Sequence, residues 1–174
     1  LPPSLTKVKG TVRAINTCGE RKIMRRIQVQ VIITLHESVT LPTLLYNAET
    51  WPLNVTQKKE LDKVEIWAWK SMLGLPKTTP TAAVIFATGA LYASIRAQIK
   101  QLIYLQKVLK KYDEHWTKTT LLTLRRLNTG WAKQVDENLE NWNLENNWEN
   151  IKNKSMALWK RQVYKAAELK NKEK

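Results

Sequence analysis

The chain has 174 residues, 43% of them hydrophobic, which suffices for one domain or two small ones with a buried core. Its net charge of +14, from 29 Lys and Arg against 15 Asp and Glu, favours nucleic acid or an anionic surface over acidic small substrates. A single cysteine, Cys18, excludes an internal disulfide and a Cys-rich zinc site, and only five Gly beside many Leu, Lys, Glu, Gln and Ala point to an all-α protein, a helical bundle.

Leu1 to Gly10 reads as extended, because two prolines block helix. Thr11 to Thr17 reads as a short strand, and Cys18-Gly19-Glu20 as a turn. A long helix is predicted from Glu20, with Ile23, Ile27, Val31, Leu35 and Val39 recurring as a core stripe. Arg21, Lys22, Arg25 and Arg26 crowd its first turns, where cations oppose the helix dipole. Pro42 kinks or restarts this helix, with Thr40 as the new cap, and the second piece runs to about Thr50.

Thr56 is expected to cap a helix from Gln57 to about Leu73. Leu61, Val64, Ala68 and Met72 form one apolar stripe, and Ile66, Trp69 and Leu73 form another. Lys59, Lys63 and Lys70 share the remaining arc. Gly74 ends the helix and Pro76 follows. Exposure of the Ile66 stripe would lead to self-association. Lys77 to Pro80 is a loop, and a short buried helix spans Thr81 to Thr88, closed by Gly89. The uncharged run from Thr78 to Ile95 approaches the length of a membrane span, but Pro80 and Gly89 break it into helix, turn, helix, so no membrane is expected.

Leu91 to Tyr112 carries the strongest pattern. At about 100° per residue, Leu91, Ile95, Ile99, Leu102, Leu105, Leu109 and Tyr112 fall on one apolar arc. Arg96, Lys100, Lys107 and Lys111 fall on the opposite side, and the segment holds no acid. A face of one sign suits a polyanion, whereas a solvated surface helix ordinarily mixes signs. Charge elsewhere is uneven: residues 51 to 112 hold ten basic and three acidic side chains, and residues 113 to 174 hold twelve and nine. Helices are predicted over Trp116 to Asn128 and Trp131 to Glu140. A turn-rich connector follows over Asn141 to Asn150, and a last helix runs from Trp148 or Ser155 to about Leu169, with a fraying tail from Lys170 to Lys174. Trp116, Trp131, Trp142, Trp148 and Trp159 dot this third and suit the sealing of short helices onto a bundle.

Three strings occur in register. Leu41 to Trp51 (LPTLLYNAETW) resembles the "LPxLLYGxExW" signature beyond the palm of non-LTR, LINE-like retrotransposon reverse transcriptases. Leu61 to Pro80 looks like that family's thumb helix and its "ilGlPksTP" loop. Thr88-Gly-Ala-Leu, Ile95-Arg and Leu102-Ile-Tyr-Leu look like its "elGllplxxrIxxrrLxyl" segment. The likeness covers Thr40 to Tyr112, is looser before it and faint from Trp116 onward. Asn47 replaces the usual Gly, an exchange that keeps the left-handed conformation accessible. Ile66, Trp67 and Trp69 stand where basic residues are common, and Lys100 and Gln101 stand where paired arginines are.

The resemblance implies three segments: 1–19 as the remnant of a palm-side piece, 20–112 as a thumb-like helical bundle, and 113–174 as a C-terminal helical extension. The palm itself would lie before Leu1. The metal-binding Asp pair of a polymerase has no counterpart, since Asp62, Asp113 and Asp136 are isolated. No independent activity is expected, and no cofactor and no metal. His36 and His115 stand apart without ligand spacing and read as surface or satisfied histidines; Glu49 is expected to make a structural hydrogen bond. The implied partner is an RNA–DNA hybrid or RNA, gripped through its backbone, together with the parent palm. Lys59, Lys63, Lys70, Lys77, Arg96, Lys100, Lys107 and Lys111 are the candidate contacts. Trp69 and Tyr104 lie near these arcs and suit either stacking or core packing. The alternative is a helical interaction module, or an inert remnant of a mobile element. Asn54-Val-Thr and Asn153-Lys-Ser match the glycosylation pattern, but with no visible signal peptide an intracellular, nuclear or cytoplasmic, setting is expected.

Overall fold

The computed structural model describes residues 9–14 and 29–174. Among the described residues the chain is helical throughout, without a strand. Residues 9–14 form a helix (α1), not the strand predicted at Thr11, and Val12 is fully buried. Two β-branched residues, Thr11 and Val12, between Gly10 and Ala14 are too weak a local preference to hold against tertiary packing. The turn at Cys18 and the basic helix start at Glu20 lie outside the described residues.

Helix α2 (Val29–Leu35) runs into a π-helical turn (His36–Thr40) and then α3 (Leu41–Leu44). The Leu41 N–H reaches back five residues to the His36 carbonyl. This widening accommodates Pro42, which has no N–H to offer a regular helix. The helix therefore passes through the proline instead of restarting. Thr40 keeps helical angles, makes no cap, and turns its hydroxyl to the Met72 sulfur at 3.8 Å. Ile32, His36, Thr40 and Leu44 are buried at helical spacing, with Leu41 and Leu45 beside them, while Val31 and Val39 are exposed and Leu35 is half-buried. The predicted stripe is thus one residue out of register. His36 belongs to the core, stacked on Trp69 with ring centroids 3.8 Å apart.

Asn47 adopts φ 59°, the left-handed conformation expected where the resembled family places glycine. A 3-10 turn (Ala48–Thr50) follows. Helix α4 (Val55–Met72) is capped by Asn54 and not by Thr56. The Asn54 side chain accepts the Gln57 N–H at 2.8 Å, and the Gln57 side chain accepts the Asn54 N–H at 2.9 Å. This reciprocal box satisfies two otherwise orphaned donors, which Thr56 and Glu60 do not offer. Leu61, Val64, Ala68 and Met72 are buried as predicted, and so are Ile66 and Trp69, which removes the expected ground for self-association. Gly74, at φ 65°, ends the helix.

Helix α5 (Thr81–Thr88) is more open than its apolar sequence implies: Val84 is its buried residue, and Phe86 is 92% exposed. Helix α6 (Ala93–Leu109) follows Gly89. It is shorter than the predicted Leu91 to Tyr112 helix, and Tyr112 stands beyond its end. Helices α7 (Trp116–Arg126) and α8 (Gly130–Asn141) form a tight hairpin. Trp148 opens a separate short helix, α9 (Trp148–Asn153), and of the two starts open to the last helix Ser155 is the one adopted, its side chain capping α10 (Met156–Glu173). The helix runs through the tail expected to fray, and Lys170 pairs with Glu173 at 2.8 Å near its end. No single helix among the described residues is long and apolar enough to cross a membrane.

Contacts divide the chain into two compact units. The first comprises Leu1–Tyr46 and Asn54–Ser94, the second Asn47–Leu53 and Ile95–Lys174. These cuts differ from the boundaries at 19 and 112 drawn from the sequence. Within the second unit, the segment 47–53 is tied by its main chain. The Trp51 carbonyl accepts from Gln101 at 2.6 Å, and the Glu49 carbonyl accepts from the Trp131 indole at 2.8 Å. The Gln134 side chain bonds both the N–H and the carbonyl of Leu53. The hydrogen bond expected at Glu49 is therefore one of its backbone.

The left-handed site gives a direct stability test. Asn47→Gly is expected to leave the unfolding midpoint within a few tenths of a kcal/mol of the parent's. Asn47→Val should cost about 1–2 kcal/mol in denaturant titration, the penalty for a β-branched side chain at positive φ. Equal stabilities would show that the turn relaxes out of the left-handed conformation.

Candidate nucleic-acid interface

Helix α6 owes its setting to polar groups as much as to its leucines. Its first turn is held by Asp62 of α4, whose carboxylate accepts the Ser94 N–H at 2.8 Å and the Ser94 hydroxyl at 3.0 Å. Asp62 is thus a capping residue supplied from outside the helix. Further along, Gln101 and Gln106 are fully buried. Besides its bond to Trp51, Gln101 accepts from the Asn138 amide at 3.1 Å, and Gln98 donates to the Asn138 oxygen at 2.7 Å. Gln106 donates to the Ile151 and Lys154 carbonyls at 2.9 and 3.0 Å. The buried Trp159 indole donates to the Leu102 carbonyl at 2.9 Å.

Ile95, Ile99, Leu102, Leu105 and Leu109 are buried on the predicted apolar arc, and Ala97 and Val108 are buried as well. Solvent is left a narrow strip. Lys100 and Lys107 are exposed on it, Arg96 is half-buried, and Lys110 joins it at the end of the helix. Ile103 and Tyr104 lie half-buried along the same strip. From Arg96 to Lys107 the cations span about 16 Å of helix axis. Tyr104 packs edge-on against Trp131, centroids 6.0 Å apart. Lys111, past the helix end, sets its ammonium 3.3 Å from His115 Nε2 and 3.2 Å from the Thr117 hydroxyl.

The other predicted residues belong to the first unit. Lys59 and Lys63 are exposed on one face of α4, with Lys63 paired to Glu60 at 2.6 Å. Lys70 is half-buried and donates to the Lys77 carbonyl at 3.0 Å, so its charge clips the loop after α4. Lys59, Lys77 and Lys107 make no ion pair with a described residue. Trp69 is buried against His36, which withdraws it from any role at a surface.

Several cations are committed to structure. Lys118 is buried, and its ammonium bonds the Lys111 carbonyl at 3.1 Å and the Asp113 carboxylate. Arg125 stacks over Trp148 at 4.1 Å and pairs with Asp136 at 3.3 Å. Trp148 bonds the other oxygen of Asp136 at 2.7 Å. These ties were not legible as charges alone. A readable signal did exist in Gln98 and Gln106, which sit amid the apolar arc of α6 and, so placed, require partners.

Burial first, then the charges of Asp62 and Glu65, push the Tyr92 phenol above its usual value, so it stays protonated at neutral pH. Among the described residues, no group of three His, Cys, Asp or Glu is placed to hold a metal ion. Compared with protein-family models, curated proteins and solved structures, the chain finds no match.

The loop behind Lys111 has a pH signature. The hydrogen bond from Lys118, then the charges of Lys118 and Lys152, draw the Asp113 carboxyl below its usual 3.8. The Asn147 N–H and the Asn150 side chain draw Glu145 below its usual 4.5. Lowered carboxyl values favour folding above the unfolded values, and that contribution disappears as pH falls through the folded ones. The thermal midpoint should therefore fall between about pH 5 and about pH 3, and the double variant Asp113→Asn, Glu145→Gln should fall less steeply. Identical pH profiles would contradict the Lys118–Asp113 clip.

Proposed function

We propose that this chain binds the phosphate backbone of a nucleic-acid duplex or RNA–DNA hybrid through the basic strip of α6. In this reading it is a thumb-like part of a non-LTR retrotransposon reverse transcriptase, without catalysis of its own. The observation that carries the reading is the composition of the one water-facing strip on an otherwise buried helix. Arg96, Lys100 and Lys107 occupy it, and α6 contains no acidic residue. A helix whose rotation is fixed by buried partners holds its cations in a row, which suits a regularly spaced polyanion. Backbone contacts of this kind position a duplex without reading its sequence.

Support also comes from the segments that resemble the thumb region. Asn47 adopts the conformation a glycine would have, and Gly74 and Gly89 both have positive φ at helix ends. Buried Ile66 and Trp69 account for apolar residues where the resembled family has cations. On α4, Lys70 is first spent on holding the loop after the helix through the Lys77 carbonyl.

The test is binding of an RNA–DNA hybrid across a salt series, with the parent and with Arg96→Gln, Lys100→Gln, Lys107→Gln. Each phosphate contact contributes about 0.9 to the slope of log affinity against log salt. The triple variant should therefore lose roughly 2–3 units of slope and most of its affinity at low salt, with an unchanged circular-dichroism spectrum. Binding that resists salt, or that the variant leaves intact, would overturn the reading and favour a helical interaction module.

A further inference from the structure

At the C-terminal end of the basic strip the loop from Lys110 to His115 brings three aromatic rings together. The Tyr112 and His115 rings meet edge to face with centroids 5.1 Å apart. His115 and Trp116 lie nearly parallel, 22° apart in plane, at 6.1 Å. Tyr112 is 71% exposed and Trp116 is 73% exposed. The contrast with the other tryptophans of this unit is sharp, since Trp142, Trp148 and Trp159 are buried and Trp51 and Trp131 are half-buried. Trp116 therefore does not seal a helix, as its sequence setting suggested.

The loop is pinned. His115 is the N-cap of α7, its Nδ1 accepting the Thr117 N–H at 3.2 Å. Buried Lys118 bonds the Lys111 carbonyl and Asp113 from beneath. The Lys111 ammonium rests against His115 Nε2 and the Thr117 hydroxyl, which places the last cation of the row beside the rings. Exposed aromatic faces held rigidly next to a row of cations match the two needs of a nucleotide, a π-face for its base and positive charge for its phosphate.

We propose that Tyr112 and Trp116 form a stacking platform for an unpaired base, so that this face takes a nucleic acid with a single-stranded end in preference to a blunt duplex. The inference rests on the backbone-binding reading of α6 and adds the class of end it accepts. Charges in the loop agree with a base there and not a phosphate. Asp113 is neutralised by Lys118, and Glu114 is an exposed carboxylate that repels phosphate from the platform. The phosphates lie along Lys100 and Lys107, and the rings receive what leaves the duplex. An apolar protein partner would leave the adjoining cations without a counter-charge, so the nucleotide is the occupant the charges favour.

The experiment compares two RNA–DNA hybrids of equal duplex length, one blunt and one with a short unpaired strand carrying 2-aminopurine. The parent should bind the overhang hybrid about tenfold more tightly than the blunt one, the increment of one stacked base, and quench the probe. The double variant Tyr112→Ala, Trp116→Ala should lose that advantage and the quenching, yet keep the parent's affinity and salt slope for the blunt hybrid. Trp116→Phe should restore part of the quenching. An overhang bound no better than a blunt end by the parent, with blunt binding intact, overturns the platform and leaves the backbone reading standing. Failure to bind either hybrid at low salt overturns the backbone reading and the platform with it.

Discussion

The structure turns on the rotational setting of α6. A helix with a broad apolar arc tolerates small rotations about its axis, because hydrophobic burial is not directional. Buried amides remove that freedom. Gln101 and Gln106 each have to find partners away from water, at a cost of about 1–3 kcal/mol for every group left unmet. Both amide atoms of Gln101 find them, in the Trp51 carbonyl and the Asn138 side chain, and the Gln106 nitrogen finds them in the Ile151 and Lys154 carbonyls, while the Gln106 oxygen is buried without a partner among the described residues. Those bonds hold only in one rotational position, and that position decides that Lys100 and Lys107 face solvent, with Arg96 half-buried on the same strip.

The same bonds explain why the segment 47–53 belongs to the second unit although its flanks belong to the first. Its main-chain carbonyls are used as acceptors by Gln101, Trp131 and Gln134. The spacing of the LPTLLYNAETW string therefore expresses backbone geometry. Asn47 makes the turn, and the residues after it present carbonyls to side chains some 50 to 80 positions further on. In this account the string positions the interface and does not contact the ligand.

The sequence reading was sound where periodicity and backbone chemistry act locally. The all-α class, α4 with its two apolar stripes, the glycine ends at Gly74 and Gly89, and the two-sided character of α6 all follow from such signals. It erred where a distant partner decides. The stripe of α2 is one residue out already at Ile32, before the π turn, because the consecutive apolar residues Val31, Ile32 and Ile33 leave the helical phase open to periodicity alone. Asn54 took the cap from Thr56 because Gln57 reciprocates. Asp62 was read as an isolated acid, and its role at Ser94 depends on a neighbour 32 residues away. Of the predicted cations, Lys100 and Lys107 stand exposed as a charged face should, Lys70 is drawn to the Lys77 carbonyl, and the buried Lys118 escaped notice, since charge alone carries no sign of burial.

Chemical footprinting of lysines tests the central claim most directly. The chain would be acylated at low salt with and without a saturating RNA–DNA hybrid, and the modified positions read by mass spectrometry. Lys100 and Lys107 should be protected by the hybrid. Lys160, exposed on α10 and outside the strip of α6, should keep its reactivity. Protection of Lys160 with free reaction at Lys100 and Lys107, or uniform protection of every lysine, would contradict the assignment of the interface to α6.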